Sequence, residues 1–146
     1  MGPIFTEEEE EFLKAHRFSV LATGRQDGSP QVSLVAYHWD GTNILILLTK
    51  HSAKWKNAVR QSNIALVIHD EFAQLAVYGT VECIDQDPLR AELTATTRNY
   101  YSTLPKSAFA GRSFEVNAEF IAELDQEGFV ILRITPTKVL GVLLDY

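Results

Sequence analysis

Cysteine is almost absent. Cys83 stands alone among 146 residues, so the chain can build neither a disulfide framework nor a thiolate metal site, and a reducing cytoplasm with a buried strand position suits the single thiol. Long apolar runs are missing too. Nowhere do about eighteen uncharged apolar residues follow one another, and residues 1–15 carry no apolar leader core or cleavage signature, so neither a membrane partner nor export is expected. Basic residues are in deficit: 13 Lys and Arg against 19 Asp and Glu leave a net charge of -6, which speaks against a nucleic-acid partner. The four histidines, His16, His38, His51 and His69, lack the spacing of a metal site, and no metal is expected. Nucleophile-elbow, Walker and Rossmann glycine patterns are also missing, which removes the support for hydrolase and nucleoside triphosphatase readings.

What is present is an ordinary globular composition, 46% hydrophobic and 22% charged, long enough for one domain spanning residues 1–146. Thr6 with Glu9 three positions on forms a capping box, and the acidic run after it sits where the helix dipole favours negative charge, so a first helix is expected over 6–15. Residues 18–23 read as a strand that turns at Asp27-Gly28 into a second over 31–39. On that strand Val32, Leu34, Ala36 and His38 share one face and Ser33, Val35, Tyr37 and Trp39 the other; both are partly apolar, as in a barrel wall packed on two sides. Asp40-Gly41 leads to a third strand over 44–48, so three antiparallel strands are expected to form a meander.

After a helix over 52–61, strands are expected over 64–68 and 74–84, with Gly79 marking a bulge or a close backbone approach. Asp87-Pro88 opens a helix reaching about residue 100, and Asn117 a short one to 124. A last strand starts at Phe129 and is broken by Pro136 ahead of 139–144. Six strands with few helices suggest a small closed or split barrel.

The passage from the third strand into the next helix carries the chemistry. Ser52 can cap that helix, Lys54 projects from its first turn, and Lys50, Lys56 and Arg60 lie close in sequence. A helix N-terminus with unpaired N–H groups and cations is suited to a phosphate. The alternative is a capped, basic surface helix with no ligand. Of the aromatics that could stack on a flat ring, Tyr37 is singled out because it shares a strand face with Ser33 and Val35.

In order and spacing, Val20-Leu21-Ala22-Thr23, Asp27-Gly28-Ser29-Pro30, the strand from 31 to 37, Lys54 with Asn57, Gly79 within Val77-Tyr78-Gly79-Thr80-Val81 and the closing segment 130–141 resemble the FMN-binding split-barrel, or pyridoxamine 5'-phosphate oxidase-like, superfamily. The resemblance covers most of the chain. It implies a mainly β fold, a six-stranded antiparallel split barrel of Greek-key type with a few short helices, assembled as a homodimer with the cofactor at the interface. By position Lys54 inherits the grip on the cofactor phosphate, with Ser52, Ala53 and Asn57 around it. Backbone groups of Ser33, Leu34 and Val35, with Leu48 and Thr49, would line the ring, and Gln74 would reach a cofactor from the second subunit.

Pyridoxamine phosphate oxidases proper place Arg where this chain has Ser33 and an Arg-Lys pair where it has Ala53-Lys54, which weakens the resemblance at the FMN phosphate. They also carry a longer C-terminal segment with Trp and Arg for the pyridoxal substrate where this chain has Leu143-Leu144-Asp145-Tyr146, so vitamin B6 oxidation is not expected. Ser at the strand position and a single Lys in the turn look more like the branch that binds the deazaflavin coenzyme F-420. The resemblance therefore implies an F-420- or FMN-dependent oxidoreductase that passes a hydride to a small planar or unsaturated substrate, with no obligatory catalytic acid. A non-catalytic protein that holds FMN, a deazaflavin or haem is the alternative.

Overall fold

Local rules set the elements of the computed structural model, which describes residues 4–143. Helix α1 (Glu7–Ala15) starts at the expected capping box: the Glu9 amide donates to Thr6 Oγ1 at 3.1 Å and the Thr6 amide to Glu9 Oε1 at 2.9 Å. Strands β1 (Phe18–Gly24), β2 (Pro30–Ala36), β3 (His38–Trp39) and β4 (Ile44–Thr49) follow, then helix α2 (Ala53–Arg60). Strands β5 (Asn63–His69) and β6 (Gln74–Ile84) precede helices α3 (Leu89–Ser102) and α4 (Ala118–Glu127), and β7 (Phe129–Val142) closes the sequence. Asn117 caps α4 through a bond from the Phe120 amide, and Gly128 ends it at φ 70°, a left-handed C-cap that glycine adopts without strain.

All seven strands join one antiparallel sheet in the order β2-β1-β5-β6-β7-β4-β3. The expected count of six is corrected to seven among the described residues because the strand read as 31–39 bends at Tyr37. Its first part pairs with β1, while His38 and Trp39 pair with Leu45 and Ile44 of β4 at the other edge. The expected meander fails for the same reason: β2 and β4 share no ladder, and a split lies between them. The break expected at Pro136 is corrected too. Pro136 does not end β7, because it sits opposite Gly79 at a register shift where Thr137 is the extra residue, and the missing proline N–H needs no ladder partner there. A Cβ on Gly79 would stand 2.4 Å from the Thr135 carbonyl oxygen, so the expected close approach is present. The segment expected to extend to residue 144 lies partly outside the described residues.

The barrel interior is filled by alternate residues of each strand, among them Leu21, Ile46, Ile68, Leu75, Val77, Leu132 and Ile134, all at most 1% exposed. Fully burying each such side chain contributes roughly 1.5–3 kcal/mol, so this core dominates the folding energy. A second cluster, Ala91, Ala95, Phe120 and Leu124, joins α3 to α4, and its partner Phe129 links it to the outside of the sheet. Helix α3 covers the outer face of β4, where Leu45 is fully buried. Helix α3 begins at Leu89, one residue after its N-cap Pro88, and the Asp87 carboxylate accepts the Ala91 amide at 3.1 Å.

Candidate functional site

Strand β2 runs between two depressions. One lies by its start, where the β1–β2 turn meets the exposed side of α2: Arg25, Ala53, Lys56, Asn57 and Arg60 line an open groove of about 460 Å³. The other is a cavity of about 240 Å³ over the split, with Ala36 of β2 and Leu47 of β4 in its floor and α3 along its side. Six residue steps at about 3.3 Å put roughly 20 Å between the strand's two ends. Along that path the outward side chains Val32 and Leu34 are 63% and 70% exposed. An elongated ligand with an anionic end and a flat apolar end therefore finds matching surfaces in that order.

The groove owes its shape to a chain of hydrogen bonds that holds α2 on the barrel. Arg60 Nη2 donates to Asn57 Oδ1 at 2.9 Å and to the Gly24 carbonyl at 2.7 Å. Asn57 Nδ2 donates to Thr23 Oγ1 at 3.1 Å, Thr23 to Gln31 Oε1 at 3.0 Å, and Gln31 Nε2 to Ser33 Oγ at 2.8 Å. Asn57 and Thr23 are buried, so an unsatisfied member would carry a desolvation penalty of about 1–3 kcal/mol. Sequence reading picked out Asn57 and Ser33 separately and missed Thr23 and Gln31, since partners 8 and 34 residues apart leave no local pattern.

Ser52 caps α2, accepting the Trp55 amide at 3.3 Å while its hydroxyl donates to the Thr49 carbonyl at 2.9 Å. The first turn has no acidic residue to compete with an anion. The cations are not pooled as the sequence suggested. Lys56 and Arg60 line the groove with Ala53, whereas Lys54, about 100° round the helix from Ala53, is half-buried and lies off its wall. Lys50 lines a different depression, with Asp85, Arg90 and Asp125. Among the described residues Arg25, Lys54, Lys56 and Arg60 form no ion pair. Asp27 also lines the groove; hydrogen bonds from the Ser29 hydroxyl and amide hold its carboxyl below the usual range.

The expected ring-stacking role of Tyr37 is corrected. Ser33, Val35 and Tyr37 do share a face, but it is the inner one: Tyr37 is 2% exposed, its hydroxyl donates to the Leu13 carbonyl at 2.5 Å, and burial pushes its pKa well up. Within one chain only the inner face of this strand is packed, since Val32 and Leu34 are open. Leu48 points into the core, Thr49 is half-buried at the strand's end, and Leu34 projects outward. Gln74 pairs with His69 at the far end of β5, so within one chain it does not join the α2 end. Cys83 is half-buried in β6, and burial raises its pKa.

No helix among the described residues is long and apolar enough to cross a membrane, and those residues contain no group of three or more His, Cys, Asp or Glu placed around a metal.

Residues 5–142 match the family described as pyridoxamine 5'-phosphate oxidase. Among solved structures the chain is similar to an F-420 reductase at 26% identity, with TM-score 0.65 over 93% of this chain and 98% of that one. It is also similar to HutZ, the haem storage protein from Vibrio cholerae, at 17% identity and TM-score 0.65, covering 91% of each chain. A pyridoxamine 5'-phosphate oxidase-related, FMN binding protein from Nostoc punctiforme shares the fold at 15% identity and TM-score 0.59, over 86% of this chain and 74% of that one. A comparison with curated proteins finds no match.

Proposed function

The chain belongs to the pyridoxamine 5'-phosphate oxidase family, with its split-barrel fold, and from that premise we propose that it is an oxidoreductase using coenzyme F-420 or FMN. The observation that carries the proposal is the arrangement along β2: cations and a capped helix start at one end, exposed Val32 and Leu34 between, and an apolar cavity at the other. The α2 N-terminus takes the anionic tail, with Lys54 turning in from beside the groove to join Lys56 and Arg60 on its wall, and with Ser52, Ala53 and Asn57 fixing the turn. The backbone of Ser33, Leu34 and Val35, with the strand end at Leu48 and Thr49, supports the ring. Likeness to an F-420 reductase over almost its whole length favours the deazaflavin.

When bound, the cofactor supplies a hydride at its ring. The chain's own part is to orient that ring, keep water off it and leave the cavity side open to a small planar or unsaturated substrate. The exposed β2 face suits a second copy of the chain, with Gln74 reaching across from the partner, as a cytosolic homodimer with no nucleic-acid or membrane partner. A binding protein without turnover, holding FMN, a deazaflavin or haem, is the second reading, and the fold shared with the haem storage protein HutZ is what favours it.

Absorbance titration of the purified protein with each cofactor is the test, because the three chromophores have distinct bands. Replacing Lys54 by Ala should weaken F-420 or FMN binding about tenfold or more, the loss of one charge-assisted hydrogen bond, without changing the melting temperature. Unchanged affinity in Lys54→Ala would remove the assignment.

A further inference from the structure

Helix α3 carries two arginines eight residues apart and almost equally buried, Arg90 at 5% and Arg98 at 4% exposure. Arg90 has a filled fork. Its Nε and Nη2 donate to the two oxygens of Asp87 at 3.0 and 2.7 Å, and Nη2 also reaches Asp125 at 2.7 Å. Arg98 meets one carboxylate, Glu123, at 3.4 Å, beyond the 2.7–2.9 Å of a well-made charged bond, and that carboxylate is half exposed to water. Its Nε has no acceptor.

Around the Arg98 guanidinium stand the rings of Phe109, Phe114, Phe120 and Phe129, with centres 5.1 to 5.6 Å from its central carbon. Ring faces attract the charge but offer no lone pairs in the plane of the N–H groups. The preceding residue repeats the condition: Thr97 is 2% exposed and its Oγ1 has no partner. Both residues form part of the cavity over the split, whose other walls are mostly apolar, Ala36, Leu47, Ala108, Phe109 and Phe129, with Tyr101 and Ser107 among them.

Buried polar groups are almost always paired, so two consecutive orphans on one cavity wall mark a place where a ligand completes the set. A planar guanidinium beside a hydroxyl matches a carboxylate, and the aromatic and aliphatic walls match a flat apolar body. We propose that this cavity binds a small, flat monocarboxylate, an aryl or short unsaturated acid, with Arg98 and Thr97 holding its carboxylate. About 240 Å³ is the room of roughly eight waters, enough for one or two fused rings and too little for a tetrapyrrole. The orphan atoms lie beneath the wall; a turn of the Thr97 side chain and a swing of the guanidinium off its long contact with Glu123 bring them to the ligand. Where a cofactor ring rests on β2, this acid is the substrate facing it across Ala36 and Leu47, which deepens the reading given above, yet its binding needs no cofactor and the two fail separately.

Isothermal titration of the full chain with trans-cinnamate and 2-naphthoate, against cinnamamide and 2-naphthamide, tests it, first without cofactor and then with coenzyme F-420. The acids should bind at least tenfold more tightly than the amides. Thr97→Val should weaken the acids several-fold and leave the amides unchanged, and Arg98→Met should erase the preference. Equal affinity for acid and amide, or no binding of the acids in either condition, overturns the proposal. Should Arg98→Met fail to fold, the acid-to-amide ratio of the natural chain and of Thr97→Val decides. Acid binding by a chain that takes up no flavin-type cofactor leaves this site standing and removes the oxidoreductase reading alone.

Discussion

The two ends of α3 treat the same side chain in opposite ways. At its first turns Arg90 is enclosed by Asp87 and Asp125 and works as a structural clamp between α3, α4 and the turn before them. Little more than two turns on, Arg98 is just as deeply placed but sits in a ring of phenylalanines with one distant carboxylate. Burial by itself therefore says nothing about role; the state of the hydrogen-bonding donors does. A filled fork marks stability. An unfilled one beside a cavity is the observation on which the proposed acid site rests.

The sharpest way to break this contrast is to remove each charge in turn. Arg90→Met should destabilise by about 3 kcal/mol, near the low end for breaking a buried pair because Asp125 is 64% exposed, read as a shift in urea midpoint at constant slope. Arg98→Met should be neutral or stabilising by up to about 1 kcal/mol, since a flexible apolar chain fills the phenylalanine cage and leaves only a half-exposed Glu123 behind. A loss at Arg98 equal to that at Arg90 would erase the distinction.

The smallest expected effect comes from His38, stacked on Tyr100 with ring centres 4.3 Å apart near the end of the same helix. Burial holds its pKa below the ordinary imidazole value, against a weaker opposing pull from Asp40. The unfolded chain thus takes up the proton first. Stability from the neutral ring is complete above about pH 6.5 and falls as the pH drops from there through the folded-state pKa. His38→Gln should flatten that part of a melting-temperature profile.

Much of this organisation is legible locally. The Thr6, Ser52 and Asn117 caps, the turns at Asp27-Gly28 and Asp40-Gly41, and the close approach at Gly79 each follow from a few adjacent residues. What escaped is what depends on distant partners. A period of two divides residues 31–39 into faces but cannot say which is inside when both are apolar, so Tyr37 was given to a ligand and belongs to the core. Pro136 breaks a strand in isolation and is harmless opposite a bulge. At the candidate site the capped helix start was readable, whereas the division of its cations between two surfaces required the helix to be seated on the barrel. Arg98 carried no sequence signal, because the four rings that enclose it come from α4, β7 and the segment between α3 and α4.

The bend at Tyr37 has a consequence for how the barrel is shut. The sheet's two margins, β2 and β3, are neighbours in the chain, so the hydrogen-bonded ladder is an open ribbon while the covalent path runs round in a circle. Nicking the backbone at that bend would sever no strand pair, yet it would cut the covalent link across the seam at a residue that is 2% exposed and whose amide donates to the Arg17 carbonyl at 2.9 Å, which makes it a poor point for circular permutation. Closure then rests on a single residue acting as a stitch: its main chain spans the seam, and its phenol ties that seam to α1 through Leu13.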